Sequence, residues 1–301
     1  MTGDSKHRSG FACFVGRPNA GKSTLTNALV GAKVAITSDR PQTTRHAVRG
    51  VVTRPDGQLV LVDTPGLHRP RTLLGQRLND VVAATLAAVD VVCLCVPADE
   101  KVGPGDRFIA DKLRDLRSTI LVAVVTKTDK ADRDRIGEQL LAINELADFV
   151  EVVPVSATAG HQVDLLADLL MTRLPEGPQL YPGGVLTDEP DAVMVAELVR
   201  EAALDGVRDE LPHSLAVVVD EMLPRPDHPR GLMDVRVEVY VERSSQKAIV
   251  IGKGGERLRE VGIRARGQIE ALLGTPIYLD LHVRVAKDWQ RDPKQLRRLG
   301  F

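Results

Sequence analysis

The residues best placed to do chemistry are Gly16-Arg17-Pro18-Asn19-Ala20-Gly21-Lys22-Ser23, followed by Thr24. Two glycines let a backbone wrap a chain of phosphates with its N–H groups. The lysine after them reaches the β and γ oxygens, and the serine hydroxyl faces Mg²⁺. The apolar run Phe11-Ala12-Cys13-Phe14-Val15 before the loop reads as a strand. Leu25, Ala28 and Leu29 after it fall at helical spacing, so the positive end of a helix stands behind the loop. An idle glycine-rich turn has no need of all these positions at once. Nucleotide binding is the first expectation.

Three further stretches follow the same logic. Alternating segments at 48–52 and 59–62 flank the turn signal Pro55-Asp56-Gly57 and read as a hairpin, whose second strand ends in Asp63-Thr64-Pro65-Gly66. An Asp at that end, beside a phosphate loop, can hold Mg²⁺ through water, and the Gly66 N–H can meet a γ-phosphate. Residues 90–96 and 119–125 are continuous apolar runs, as suits strands of a parallel sheet covered on both faces, and helical patterns at 74–88, 109–116 and 136–146 punctuate them. Directly after the second run stands Thr126-Lys127-Thr128-Asp129. A carboxylate there can accept both guanine N1–H and N2–H₂, which adenine cannot supply, so Asp129 favours GTP over ATP. Past a short strand at 150–155, the backbone N–H groups of Ser156-Ala157 can reach guanine O6.

In this order the stretches resemble the five guanine-nucleotide motifs of the translation-factor-related P-loop GTPases. Gly16 to Thr24, Pro41-Gln42-Thr43-Thr44-Arg45-His46 and Asp63-Thr64-Pro65-Gly66-Leu67-His68 are similar to those of the bacterial ribosome-assembly GTPases within that class, and the likeness runs over nearly the whole chain. The resemblance implies that Lys22 contacts the phosphates and that Ser23 and Thr44 complete the Mg²⁺ shell. Asp63 would hold the metal through water, Gly66 the γ-phosphate and Asp129 the base. Gly16, Asn19, Ala20, Gly21, Thr24, Thr64, Pro65, Thr126, Lys127, Ser156 and Ala157 are expected in the same site, with Lys22, Thr44 and Gly66 acting in hydrolysis. Thr44 is preferred to Thr43 because the family's switch threonine directly precedes the Arg. Asn19 stands where related GTPases hold a K⁺ ion in place of an arginine finger, and K⁺ is carried as a hypothesis.

Two departures carry consequences. Leu67 occupies the place where many signalling GTPases have the Gln that orients the attacking water. Unassisted hydrolysis is therefore expected to be slow, on the order of 10⁻⁴ to 10⁻² s⁻¹, with ions and ordered switch backbone supplying the orientation. Thr126 replaces the usual Asn, so one hydroxyl donor does the work of two amide donors. A weaker hold on the base or on the phosphate loop is expected, with specificity surviving through Asp129.

After a helical pattern at 163–174, Pro175-Glu176-Gly177-Pro178-Gln179-Leu180-Tyr181-Pro182-Gly183-Gly184 is rich in breakers, and a domain boundary is expected there. Beyond lie an amphipathic helix at 192–204, strands at 215–223 and 233–241, the turn Gly252-Lys253-Gly254-Gly255, a helix at 256–273 and a strand at 277–285. A glycine-rich turn between helices lets a nucleic-acid backbone approach while cations and helix ends neutralise its phosphates. The turn resembles the GXXG loop of KH domains, and the element order resembles a type II KH domain. Ile251, Gly252, Lys253, Gly254, Gly255 and Arg257 are the expected RNA contacts, with bases in an aliphatic groove around Ile249 and Ile251, walled by the third strand.

Composition is consistent with this division. The 301 residues are 43% hydrophobic, enough for a core in each of two domains, but only 3% aromatic, so stacking platforms for bases are sparse. The net charge of −1 hides an asymmetry: residues 191–242 carry 5 basic and 12 acidic side chains, residues 243–301 carry 13 and 6. The C-terminal end suits a polyanion. Cys13, Cys93 and Cys95 lie in apolar strand-like runs with no CxxC pair, which points to buried, reduced thiols. The first ten residues are polar, unlike a secretory signal, and no run has the length of a membrane span.

The expected plan is a flexible N-terminus (1–10), an α/β P-loop GTPase domain with a mixed, mostly parallel six-stranded sheet and helices on both faces (11–175), a linker (176–190), an α+β type II KH domain (191–286) and a basic tail (287–301). The resemblance implies a cytoplasmic, monomeric switch that binds and hydrolyses GTP with Mg²⁺, binds 16S rRNA near its 3′ end and assists assembly of the small ribosomal subunit; no DNA partner is expected. Two alternatives stay open: a GTPase serving another RNA or a process at the inner face of the membrane, met peripherally, and a passive RNA-binding scaffold with a structural nucleotide site. An ATP-dependent kinase is disfavoured by Asp129, and the seven scattered histidines show no metal-ligand spacing.

Overall fold

The computed structural model describes residues 7–40, 43–67, 70, 72–116, 119–207, 211–225 and 231–301. The first six residues, Pro41, Gln42 and His68, all drawn into the expectations above, lie outside them. The chain divides into one unit of residues 1–37, 44–69 and 78–188 and a second of 38–43, 70–77 and 189–301.

The elements up to residue 173 run β1 (Arg8–Val15), α1 (Lys22–Val30), β2 (Val48–Arg54), β3 (Gly57–Asp63), α2 (Leu73–Leu86), β4 (Val91–Pro97), α3 (Pro104–Leu113), β5 (Ile120–Thr126), α4 (Arg133–Asn144), β6 (Glu151–Pro154) and α5 (Val163–Arg173). They build a sheet of order β2-β3-β1-β4-β5-β6, parallel except for the β2–β3 hairpin. Every residue of β4 is buried, because helices cover both faces and each side of the strand meets a core. Neighbours on β1 serve opposite layers: Phe14 packs with Leu25, Leu59 and Leu170, Cys13 with Val82, Ile109 and Ile143. Burial pushes the Cys13 and Cys95 thiols up to about 12, which keeps them protonated and inert.

Helices α3 and α4 begin earlier than apolar spacing suggests, since their first turns are polar and capped. The Asp106 carboxylate accepts from the Gly103 N–H at 2.8 Å, and that of Asp132 from the Arg135 N–H at 2.8 Å.

Two expectations about this unit need correction. The segment through Gly10 is not all loose, because β1 starts at Arg8 and pairs with Gly57 onward. The breaker-rich stretch after α5 is no free linker either. It runs as a strap along the sheet: Ser9 Oγ donates to Pro178 O at 2.6 Å, and the buried Gln58 accepts from the Leu180 and Tyr181 N–H groups at 2.8 Å each. Further on, the Val51 N–H donates to Leu186 O at 2.8 Å, and Tyr181 OH and Arg49 both donate to Asp188. These bonds are made largely by backbone groups and one buried amide, so no apolar period marks them.

The second unit holds α6 (Asp191–Leu204), α7 (Leu211–Ser214), β7 (Ala216–Arg225), β8 (Leu232–Val241), α8 (Ser244–Ile251), α9 (Glu256–Leu273), β9 (Ile277–Val285) and α10 (Pro293–Arg298). Its sheet has the order β7-β8-β9, with β7 and β8 antiparallel and β9 parallel to β8. Val235, Val237, Val239 and Val241 form the buried face of β8. The final fifteen residues are a third correction. Trp289 is fully buried, donates Nε1–H to Ser214 O at 2.9 Å and stacks on Phe301 with centroids 5.5 Å apart, while Leu296 and Leu299 are also buried. The basic tail is an integral part of this unit. Among the described residues, no helix is long and apolar enough to cross a membrane.

Candidate nucleotide site and nucleic-acid interface

The phosphate loop leaves β1 beside β4. Glycine is required at position 16, where a Cβ would lie 2.5 Å from the Cys95 carbonyl oxygen. Asn19 (φ 63°) and Gly21 (φ 84°) take left-handed backbone, which coils the loop into the N-terminus of α1. Lys22 opens that helix, nearly buried, with Nζ donating to Gly16 O at 3.2 Å and Arg17 O at 2.9 Å. Burial pushes its pKa down, opposed by the nearby Asp63 carboxylate.

Asp63 ends β3 with no exposure. Its Oδ2 accepts from Ser23 Oγ at 2.6 Å and from Thr44 Oγ1 at 3.1 Å, and the two hydroxyls stand 2.9 Å apart. Its Oδ1 is buried without a hydrogen-bond partner. Burial raises the Asp63 pKa, while the Ser23 hydroxyl and the Lys22 charge pull it down. An orphaned carboxylate oxygen beside two hydroxyls is the oxygen-donor set that a hard divalent cation takes, so these residues fit Mg²⁺. Thr64 anchors the next loop by donating to Phe14 O at 2.8 Å, and Gly66 lies so close to Pro18 that a Cβ would be 3.0 Å from its nitrogen. Leu67 is buried and has no polar atom to offer a water.

At the other end, Thr126 Oγ1 donates to Ala20 O at 2.7 Å. The hydroxyl therefore keeps the tether to the phosphate loop, and what the missing Asn removes is a donor toward the base. Lys127 (φ 56°) turns the chain, and Asp129 follows with its carboxylate accepting from Ser156 Oγ at 2.6 Å, a bond that holds it below the usual carboxylate range. One expectation fails here: the Ser156 N–H donates to His161 O at 3.1 Å in an isolated bridge, so it is not available to guanine O6. Of the pair, the expectation now falls on the Ala157 N–H alone. Sequence reasoning also passed over the side chain of Arg17, which donates to the fully buried Asp106 at 2.8 Å and pairs with Glu100 at 3.1 Å, bracing the loop against α3. Nothing local marks a partner ninety residues away.

In the second unit the turn after α8 is glycine by necessity, since a Cβ on Gly252 (φ 74°) would lie 2.8 Å from that of Arg257. Lys253 and Gly254 are exposed at its tip. Arg257, expected on RNA, is committed elsewhere: its guanidinium donates to Asp205 O at 2.7 Å, satisfying the carbonyl end of α6. The aliphatic groove is displaced from its expected position as well. A groove of about 380 Å³ runs between α9 and β9, lined by Leu258, Ile263 and Leu281 with Arg259 and Arg266, whereas Ile249 is 54% exposed on α8. Among the described residues, no three His, Cys, Asp or Glu side chains gather as a metal cluster.

A phosphate loop and a guanine-type carboxylate on a mostly parallel sheet, joined in one chain to a helix–strand–strand–helix–helix–strand unit with a glycine turn, define a P-loop GTPase with a C-terminal KH domain. Residues 11–127 match the family described as 50S ribosome-binding GTPase, and residues 210–290 match the KH domain family. GTPase Era of Streptomyces coelicolor is 70% identical over 305 residues, covering 99% of this chain and 96% of that protein; GTPase Era of a Nocardioides species is 67% identical over 302 residues, covering 98% and 96%. The chain belongs to the Era family of GTPases. A solved Era structure in complex with MgGDPNP and nucleotides 1506–1542 of 16S ribosomal RNA has a TM-score of 0.92 at 36% identity, covering 98% of this chain and 99% of that one. A point variant of Aquifex aeolicus Era bound to GDP·AlF₄⁻ has 0.93 at 36%, covering 97% and 99%.

Proposed function

We propose that this GTPase binds GTP at the site built on Lys22, Ser23, Thr44, Asp63 and Asp129, and that its nucleotide state sets the affinity of the KH unit for the 3′ end of 16S rRNA during assembly of the small ribosomal subunit. The observation that carries the nucleotide half is the convergence of the Ser23 and Thr44 hydroxyls on one oxygen of Asp63 while the other stays buried and unpaired. The RNA half is supported by the similar Era structure that holds such an RNA, and by a groove flanked by Arg259 and Arg266.

In this reading Lys22 exchanges the loop carbonyls for β and γ oxygens, the Gly66 N–H meets the γ-phosphate, and Asp129 reads the base. Mg²⁺ would be held by Ser23, Thr44 and Asp63 and would neutralise phosphate charge there. With Leu67 buried, no side chain at that position orients the attacking water, the task falls to ordered backbone, and turnover without an activator is slow. The protein works as a cytoplasmic monomer; a peripheral membrane contact belongs to the same proposal only as an open branch. K⁺ at Asn19 is part of it: single-turnover hydrolysis runs faster in K⁺ than in Na⁺ buffer, and equal rates remove the ion from the mechanism.

Gly254→Asp tests the RNA half. Gly254 sits exposed at φ 60° with open space around its Cα, so an aspartate meets no neighbour; it takes on some left-handed backbone strain and sets a negative charge where phosphate would pass. Affinity for the 1506–1542 RNA drops at least about tenfold, the cost of roughly 1.4 kcal/mol of repulsion and lost approach. Normal affinity in filter binding would overturn the assignment of this turn to RNA.

A further inference from the structure

Arg200 of α6 is among the largest fully buried side chains of the protein, and it is charged. Its guanidinium meets Glu197 in a fork: Nε donates to one carboxylate oxygen at 2.9 Å and Nη2 to the other at 2.6 Å. Nη2 also donates to the carbonyl oxygen of Thr43. Nη1 is buried with no hydrogen-bond partner among the described residues. A buried ion pair gains little over apolar packing of the same volume, and an unused buried donor adds a cost, so stability does not explain the arrangement. Position does. Residues 38–43 belong to the second unit and Thr44 to the first, so the boundary falls on the peptide bond between Thr43 and Thr44. On one side Arg200 holds the Thr43 carbonyl, while Thr43 Oγ1 closes a turn on Arg40 O at 2.6 Å. On the other, Thr44 Oγ1 donates to Asp63 at 3.1 Å and stands 2.9 Å from Ser23 Oγ. The Thr43 carbonyl shares one rigid plane with the Thr44 N and Cα. Fixing its oxygen fixes the Cα that carries the hydroxyl, and leaves only φ and χ1 of Thr44 to aim it.

We propose that Arg200, clamped by Glu197, is a positioning residue for GTP hydrolysis: by holding the Thr43 carbonyl it sets the Thr44 hydroxyl against Asp63, where the metal site is completed. This rests on the metal reading of Ser23, Thr44 and Asp63 and adds to it a residue that acts only through another. Lysine does not replace it, because a single ammonium lacks the planar fork that grips both Glu197 oxygens and the carbonyl together.

The test uses the full chain with Arg200→Lys, Glu197→Gln and Thr44→Ala. In nucleotide-free protein, Arg200→Lys loses hydrogen-exchange protection at the amides of residues 43–47, while those of β7 and β8 keep the parent's protection. The Mg²⁺ concentration for half-maximal binding of GDPNP rises about 10- to 100-fold, the range seen when a partner that orients a metal ligand is removed. Single-turnover GTP hydrolysis at the parent's half-saturating Mg²⁺ falls over the same range of about 10- to 100-fold. Affinity for GDP stays within about twofold, because the phosphate loop and Asp129 are untouched. Glu197→Gln moves each readout the same way and by less, since the amide keeps one of the two acceptor oxygens. In a Thr44→Ala background Arg200→Lys raises the Mg²⁺ requirement no further, as its whole effect passes through that hydroxyl. If both clamp variants keep the parent's Mg²⁺ requirement while Thr44→Ala raises it, the Arg200 proposal is wrong and the metal site stands; if Thr44→Ala keeps it too, both fall. Loss of the cooperative unfolding followed at Trp289 in both clamp variants would make the pair structural and equally overturn the proposal.

Discussion

Lys22→Ala lowers the affinity for GTP and for GDP by between about 100-fold and a few thousand-fold, which corresponds to roughly 3–5 kcal/mol for removing one partner of a buried charge contact. The ammonium is nearly buried, and what it reaches in the structure is two carbonyls of its own loop and the field of Asp63. Burial alone disfavours the charge, so its retention there is explained by a ligand of opposite sign. The fold survives the substitution. Two loop carbonyls lose a bond worth about 1 kcal/mol each, but the desolvation of the ammonium is relieved at the same time. Loss of the positive charge also lets the Asp63 pKa rise further, since Lys22 is one of the groups holding it down. Isothermal titration with GDP, together with circular dichroism, checks both halves; undiminished affinity would end the phosphate-loop assignment.

Trp289→Ala destabilises the second unit by about 4–5 kcal/mol. Emptying a fully buried tryptophan site costs roughly 3–5 kcal/mol, and the Ser214 carbonyl loses its donor as well. Against a typical domain stability of about 5–15 kcal/mol, that leaves the unit marginal. Trp289 is the single tryptophan of the chain, so in the parent its fluorescence follows unfolding of this unit. In the variant, urea titration with hydrogen exchange at β7–β9 amides gives the loss. A change under about 1 kcal/mol would mean that residues 287–301 decorate the unit without stabilising it. Trp289→Phe, which keeps the ring against Phe301 but not the N–H, falls between.

The two predictions concern residues of unequal legibility. The nucleotide end was readable because its chemistry dictates residue type, spacing and position at strand ends, as with Lys22, Asp63 and Asp129. Strand and helix order followed from apolar period, and the strands of both sheets appear where that period puts them, while the turn at Gly252 was marked by its glycines. What escaped was carried by contacts of no local signature. Arg257 sits beside a glycine turn like any phosphate ligand, yet it serves a carbonyl of α6 more than fifty residues earlier in the chain. Ser156 looked free to donate until His161 closed a bridge on it. The tail was read through its basic residues, although the lone tryptophan among them was the better indicator of burial. Gln58 gives no hint in sequence that it will hold two N–H groups more than a hundred residues away.

That glutamine bears on how the chain avoids its neighbours while it is being made. Strand β2 is the outermost of the six, and an outer strand with unused backbone groups invites pairing with another molecule. At the far side β6 is only four residues long and offers little template. At the near side the strap occupies the Val51 N–H through Leu186, but residue 186 is synthesised after every strand of the sheet. A nascent chain therefore completes its sheet with one sticky margin still open and seals it last.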